Sequence, residues 1–294
     1  MAREIIFPQT EEPKSLENFL KKRFPIGYVR KLFRKNGVRL NGKRSGPKET
    51  VRAGDRIQLF IPFEKQPSSD LKKTPLHHGF QILFENDELL VIDKMAGTAV
   101  HEAKGILKRH TVLGMLEATY RSHGIAPILV HRIDKETSGL LVIAKKSEVA
   151  EELKRQFEEG KVEKKYLALI VGRLRPKEGR IDFPLPGRDD RLVPALTLYK
   201  VKKEFPGVAL VRVTTKTGRR HQIRLHFARL SHPLLMDDQH GDFPFNRQFQ
   251  KAHGLRRQFL HACDIAFEYR GERRKWTTPL PDDLMRTLKS LESC

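Results

Sequence analysis

Apolar residues recur along this chain at two periods, and the changes between them mark out its elements. In SLENFLKK, Leu16, Phe19 and Leu20 fall at helical spacing behind Ser15, a residue suited to an N-cap, so a helix is predicted there. Pro25 and Gly27 are expected to break it. A second helix is predicted from about Tyr28 to Lys35, with Val29, Leu32 and Phe33 inward and Asn36-Gly37 as its stop. VRLNGKR reads as a hairpin turning at Asn41-Gly42, and AGDRIQLFIP as a turn followed by a strand.

From Phe80 the pattern changes. FQILFENDELLVIDK gives two short strands around the turn at 85–88, and HTVLGMLEATYRSHG an amphipathic helix. PILVHRI and GLLVIAKK are apolar runs, read as strands flanking a polar loop. Residues 147–159 read as a capped helix, KKYLALIVGRL and GVALVRVTTKT as strands, and RHQIRLHFARL as a helix. Strands and helices alternate irregularly, which predicts an α+β fold with a mixed sheet. Between the two patterned regions, Pro, Ser, Gly and charge without periodicity mark a linker. The expected division is a domain at 1–66, a linker at 67–79 and a larger domain at 80–294.

Charge changes the picture most in the first region. Residues 14–60 carry 14 Lys+Arg against three Asp+Glu, about half of the chain's formal +21. A field of that strength favours a polyanionic partner, with nucleic acid first and an anionic membrane surface second. Arg30, Lys31, Arg34 and Lys35 lie on the outward face of the second predicted helix, and Arg39 follows in the hairpin, so these five are candidate phosphate contacts. No apolar run is long enough to span a membrane and no signal-type segment opens the chain, so a cytoplasmic protein is expected. Cys263 and Cys294 lie in no CxxC pair, and the 12 histidines include no HExxH, so no metal is expected. A monomer is the default expectation.

The candidate chemistry lies in PILVHRIDKETSGLLVIAK, where His131, Arg132 and Asp134 fall at the end of one apolar run. A carboxylate at a strand end is held by a rigid sheet yet faces a cleft. Pattern alone also allows Asp134 to be a turn residue bonding its own backbone. The run is not the HRD of a protein kinase: one residue is inserted, no GxGxxG precedes it and no DFG follows.

HRIDKETSGLLVIAK resembles the signature of RluA-type RNA pseudouridine synthases. ELLVIDKMAGTAVH, EKKYLALIVG, KTGRRHQIRLHFA and RQFLHACDIAFEY resemble the family's other blocks, in its order. SLENFLKK, YVRKLFRKNGVRLNG and VRAGDRIQL resemble the S-four type RNA-binding domain. Together they cover nearly the whole chain. The resemblance implies a small α/β RNA-binding module followed by a catalytic domain with a mixed, largely antiparallel sheet and flanking helices. It implies isomerisation of uridine to pseudouridine without a cofactor. Carried over by position, Asp134 is the catalytic residue, Arg132 fills the space of a flipped base, Tyr166 stacks on uracil, and Arg224 pairs with Asp134. Arg220, read as i,i+4 with Arg224 on one helix face, and Lys94 are expected to meet phosphate. Large-subunit ribosomal RNA is the favoured substrate. A transfer RNA enzyme and a non-catalytic RNA-binding assembly factor are the alternatives, and DNA binding is weaker because no helix-turn-helix or finger signature stands out. Three departures from the family blocks fall at Met95, Glu102 and Met236, and are expected to alter loop shape and substrate choice.

Overall fold

The computed structural model describes residues 3–24, 26–60, 79–103, 105–187, 189 and 191–293. The chain divides into two compact units, 1–69 and 70–294. The expected linker at 67–79, apart from Gly79, lies outside the described residues, as does Pro25.

In the first unit the elements run β1 (Arg3–Ile6), β2 (Lys14–Ser15), α1 (Leu16–Lys21), α2 (Ile26–Arg34), β3 (Val38–Leu40), β4 (Lys43–Arg44), β5 (Thr50–Val51) and β6 (Arg56–Leu59). Ser15 caps α1, its hydroxyl accepting from the Asn18 N–H at 3.3 Å. α1 ends at Lys21, ahead of the expected break, and α2 starts at Ile26, two residues before the expected Tyr28, so that Gly27 lies within it. Asn36 takes a left-handed φ of +50° and ends the helix, as an asparagine can. Asn41 and Gly42 both have positive φ, the geometry that a two-residue hairpin needs, and β3 pairs β4 across them. The strands order β1-β6-β3-β4, and Leu16, Phe19, Leu20, Val29, Leu32, Val38, Ile57 and Leu59 form the core between sheet and helices. With one face so committed, Arg30, Lys31, Arg34, Lys35 and Arg39 are all exposed.

The second unit is built on ten strands. They are β7 (Phe80–Glu85), β8 (Leu89–Lys94), β9 (Ile128–Leu129), β10 (Ser138–Ala144), β11 (Glu163–Val171), β12 (Glu178–Ile181), β15 (Thr197–Phe205), β16 (Val208–Thr215), β17 (Leu260–Tyr269) and β18 (Glu272–Thr277). The short pair β13 (Leu185–Pro186) and β14 (Leu192–Val193) lies apart. The sheet order is β12-β15-β16-β11-β17-β10-β8-β7, with β18 on β17 and β9 on β10. Only β10 and β17 run parallel among these pairs, so the sheet is mixed and largely antiparallel.

All seven residues of β10 are buried because both faces are covered. Leu140, Val142 and Ala144 pack with Ala150 and Leu153 of α4 (Ser147–Glu158), while Leu141 and Ile143 pack with Val112 and Leu116 of α3 (Val112–Tyr120). Burying each such leucine or isoleucine contributes about 1.5–3 kcal/mol relative to exposure. On the far half of the sheet, Ile223 and Phe227 of α5 (Gln222–Arg229) cover β11 and β16. Two further helices, α6 (Phe243–His253) and α7 (Asp282–Glu292), close a last cluster around Leu235, Phe249, Phe259 and Leu284.

Two expectations change here. The run PILVHRI forms only the two-residue β9, because the His131 ring replaces the rest of the strand: its Nε2 accepts the Val142 N–H at 2.9 Å. Ser147 is the first helical residue of α4 and Lys146 the cap, with no capping side-chain bond.

Gly139 allows the parallel pairing. Its φ is +113°, and a Cβ there would lie 2.3 Å from the Ala262 carbonyl oxygen. Gly139→Ala is therefore expected to destabilise the second unit by roughly 3 kcal/mol or more, through a backbone clash added to a strained φ. Urea unfolding of the two proteins measures this, and equal midpoints would contradict the packing described.

Candidate active site

The loop between β9 and β10 carries Asp134, and its main chain is tied down from behind. The Lys135 carbonyl accepts from Lys94 Nζ and from the Gly97 N–H, both at 2.9 Å. The Glu136 carbonyl accepts from Arg257 Nη1 at 3.3 Å, and Arg257 is itself braced by Asp283 at 2.6 Å. Gln258 donates to Thr137 Oγ1 at 2.8 Å, while His261 and Arg257 meet Ser138 Oγ at 3.0 and 3.3 Å. None of these bonds uses the Asp134 carboxylate.

That carboxylate points the other way, into an open cleft of about 480 Å³ bordered by Arg132, Asp134, Lys164, Tyr166, Arg219, His221 and Arg224. Asp134 Oδ2 lies 3.5 Å from Arg224 Nη1, and Oδ1 lies 3.9 Å from His221 Nε2. Its interactions are thus with side chains across the cleft, not the self-bonded turn that pattern alone allowed.

Arg224 is held by a second acid. Its guanidinium makes a bidentate pair with Asp237, Nε to Oδ2 and Nη2 to Oδ1 at 2.7 Å each, and Nη2 also reaches Asp238 at 2.9 Å. Nη1 is left to face Asp134. Both members of the Arg224–Asp237 pair are buried, at 4% and 1% exposure. Burial alone would raise the Asp237 carboxyl; hydrogen bonds from Arg224, Gln239 and His240 outweigh it and hold the group below its usual range. Met236, next to Asp237, takes φ +60°, a conformation unusual for a side-chain-bearing residue. His240 Nε2 lies 3.3 Å from His221 Nδ1.

Tyr166 reaches the cleft from β11. It lies opposite a β-bulge, where Cys263 of β17 is passed over between the Lys165–Asp264 and Tyr166–Ala262 pairings. Burial pushes its phenol up to about 12; the nearby Asp134 charge adds to the rise, and a hydrogen bond with Thr215 opposes it. The side chain is therefore a neutral phenol at physiological pH. Two residues earlier on the same strand, Lys164 lines the same cleft from a buried position.

Arg132 is exposed at the rim, its Nη1 3.2 Å from His101 Nε2. Burial and Arg132 both lower the His101 pKa. Arg220 is also exposed, but it precedes α5 and is not on it. His221 has φ +52°, so the helix begins only at Gln222 and the expected i,i+4 relation of Arg220 to Arg224 is corrected. Gln222 fixes this turn, accepting from Thr217 Oγ1 at 2.7 Å and the Arg219 N–H at 3.0 Å.

Lys94 requires a larger correction. It is fully buried, and its ammonium donates to the carbonyls of Met95, Thr98 and Lys135 at 2.8–2.9 Å. All three N–H donors are used and no surface is left for a phosphate, so Lys94 holds the Asp134 loop in place. Burial pulls its pKa down to about 7, opposed in part by the charges of Glu136 and Asp134. His131 and His226 are hydrogen-bonded packing residues. Burial pulls the His131 ring down to about 3, and it stacks on Phe157. His226 Nε2 faces the Phe183 carbonyl at 2.9 Å and so carries the proton, leaving Nδ1 to accept from Thr197.

The motif reading missed Asp237, Arg257, His240 and Lys164. Lys164 had a usable signal, since it shares the inward face of β11 with Tyr166. Among the described residues, no group of three His, Cys, Asp or Glu side chains is placed to hold a metal, and no helix is long and apolar enough to cross a membrane.

A family model for RNA pseudouridylate synthases matches residues 88–229. The ribosomal large subunit pseudouridine synthase C of Vibrio vulnificus (strain CMCP6) is 33% identical over 298 residues, spanning 95% of this chain and 93% of its own. Its namesake from Escherichia coli O157:H7 is 34% identical, over 96% and 94%. Among solved structures, human RNA Pseudouridylate Synthase Domain Containing 4 aligns with a TM-score of 0.61 at 28% identity, over 72% of this chain and 92% of that one.

Removing Asp237 should expose how Arg224 is held. Asp237→Ala leaves a buried cation short of its main partner and is expected to cost about 3–5 kcal/mol in urea unfolding at neutral pH. The folded-state pKa of Asp237 lies below its unfolded value of about 3.9, so its contribution is complete above that pH and is lost as pH falls through the folded value. The gap between parent and variant should therefore narrow in acid. A gap that stays constant from pH 6 to pH 2.5 would argue against this pairing.

Proposed function

The chain belongs to the RNA pseudouridylate synthase family and isomerises uridine in RNA, and we propose that it does so in large-subunit ribosomal RNA with Asp134 as the catalytic residue. The observation that carries the proposal is the carboxylate itself. It stands on a loop fixed from behind, faces an open cleft, and has an arginine and a tyrosine across from it. The names of the bacterial relatives, matched over nearly their full length, supply the choice of ribosomal RNA.

Pseudouridine formation breaks the C1′–N1 bond of uridine and joins C1′ to C5. The C5 hydrogen leaves as a proton and N1 gains one, so the product is an isomer of the substrate. Within the cleft Asp134 acts as nucleophile or base. Arg224 orients it through the N–H that Asp237 leaves free. Tyr166, held as a neutral phenol, stacks on the uracil and is a proton donor in waiting. The target base leaves its stack at a cost of a few kcal/mol, and Arg132 at the rim fills the vacated space.

The first unit is the RNA-binding module of this reading, of the S-four type, with 1–66 as its extent and 80–294 as the catalytic domain. Arg30, Lys31, Arg34, Lys35 and Arg39 are exposed, and none has an ion-pair partner among the described residues. Arg39 lies over the Phe60 ring, which leaves its charge unneutralised, and cations without an internal counter-charge release counterions when they bind phosphate. In the second unit, Arg220 is an exposed cation beside the cleft. The protein acts as a cytoplasmic monomer.

Asp134→Asn is expected to reduce pseudouridine formation on the order of 10³-fold or more, with RNA affinity within about threefold of the parent, since no phosphate contact is lost. Mass-spectrometric mapping of treated RNA measures the first, and filter binding the second. Full activity in the variant would remove Asp134 from the reaction. Replacing Arg30, Lys31, Arg34 and Lys35 together by glutamine is expected to lower the slope of log Kd against log salt by about 3, near 0.7–0.9 for each lost phosphate contact. An unchanged slope would place RNA recognition elsewhere.

A further inference from the structure

Among the described residues of the second unit, three lysine side chains are largely withdrawn from solvent, and only two of them have a full set of partners. Lys94 gives its three donors to three carbonyls. Lys145 pairs with the Glu85 carboxylate at 2.8 Å and with the Asn86 carbonyl at 2.9 Å. Lys164 is the third, at 7% exposure. Its ammonium has one acceptor, the Thr217 carbonyl at a long 3.3 Å, and no carboxylate partner among the described residues. Its Nζ also lies over the face of the Phe157 ring, 5.4 Å from the centroid, a cation–π contact that eases the burial but carries no negative charge. A buried charge without a counter-charge is costly, and folded proteins usually pair it or avoid it. This one lines the same cleft as Asp134 and Tyr166.

We propose that Lys164 is a substrate-binding residue whose counter-charge arrives with the RNA: its ammonium takes a phosphate flanking the target uridine. The proposal rests on the functional reading above and adds to it a contact that draws the nucleotide to the depth at which Asp134 can act. The position suits a phosphate. Lys164 and Tyr166 are alternate residues of one strand, roughly 6.6 Å apart, so a base stacked on Tyr166 brings its own backbone to the neighbourhood of Lys164. Beside the ammonium, the turn at Thr217–Arg220 opens to solvent, with Arg219 and Arg220 exposed. A Cβ added at Gly218 would sit 3.9 Å from Lys164 Nζ, so the glycine keeps that wall low. A uracil carbonyl would fill a donor yet leave the charge uncompensated, whereas a phosphate does both. Burial already lowers the Lys164 pKa to about 8, and an anion would draw the group fully into its charged form.

The assignment makes free protein and complex respond in opposite directions. Lys164→Met keeps the stem and removes an unpaired buried charge, so the melting temperature of the free protein should stay level or rise. The same variant should bind RNA at least tenfold more weakly, the loss of one charge-assisted contact. A lysine needed only for folding would lower the melting temperature instead.

The phosphate is identified chemically. The RNA is a stem-loop around the uridine that the parent modifies in total cellular RNA. Two versions carry a neutral methylphosphonate in place of the phosphate on the 5′ or the 3′ side of that uridine. One of the two should weaken binding by the parent about tenfold and have no further effect on Lys164→Met. If both substitutions weaken parent and variant by the same factor, or the variant binds as well as the parent, Lys164 does not hold a flanking phosphate and the proposal is overturned. If the parent forms no pseudouridine in any RNA, the functional reading falls and this assignment with it. A modified RNA with no Lys164 effect removes the assignment alone.

Discussion

Three donors hold the main chain behind Asp134, and the site is organised around them. Lys94 and the Gly97 N–H share the Lys135 carbonyl, and Arg257 takes the next carbonyl, that of Glu136. A carboxylate carried by a loop can do chemistry only if the loop keeps it within a fraction of an ångström of the productive position. Here the fixing is done through backbone atoms, so both carboxylate oxygens stay available to the cleft. The clamp is assembled from distant sequence. Lys94 ends β8, Arg257 precedes β17, and both strands border β10, which leaves the loop directly. Gly139 lets β17 come close enough for this to happen.

A similar economy governs Arg224. Its guanidinium has several donors, and Asp237 and Asp238 take those on one side, leaving Nη1 for Asp134. A guanidinium bound bidentately cannot swing, so the distance to Asp134 is set by Asp237. The Asp134 carboxylate therefore faces a cation already partly neutralised, and the contact orients it without tying it up in a tight ion pair. Tyr166 is fixed by different means, a register change between β11 and β17 at Cys263.

Much of this was legible in the sequence. The apolar run GLLVIAKK gave a strand, the helical spacing of Leu16, Phe19 and Leu20 gave the first helix, and Asn41-Gly42 gave the hairpin. Asp134, Arg132, Tyr166 and Arg224 were readable as a set because their flanking blocks kept the family's order. What pattern could not tell was where long side chains end. Periodicity reports the face a residue occupies, and Lys94 and Lys164 both sit on polar-looking strand ends that fold inward. Lys94 meets the Lys135 carbonyl, 41 residues away, a partner that no local rule encodes. His131 replaced part of a strand with its ring, which an apolar run cannot signal. Arg220 was placed on a helix because the apolar spacing of RHQIRLHFARL carries no sign of the left-handed residue at His221 that delays the helix start.

The central claim is that Lys94 positions Asp134 from behind and does not touch RNA. Single-turnover pseudouridine formation by Lys94→Met, at saturating RNA and below its melting temperature, tests it most directly. The rate should be about 100-fold lower, as expected when a reacting group is displaced by about 1 Å, with the RNA dissociation constant unchanged. A parental rate at saturation combined with weaker RNA binding would contradict it, because that is the behaviour of a phosphate contact and not of a clamp.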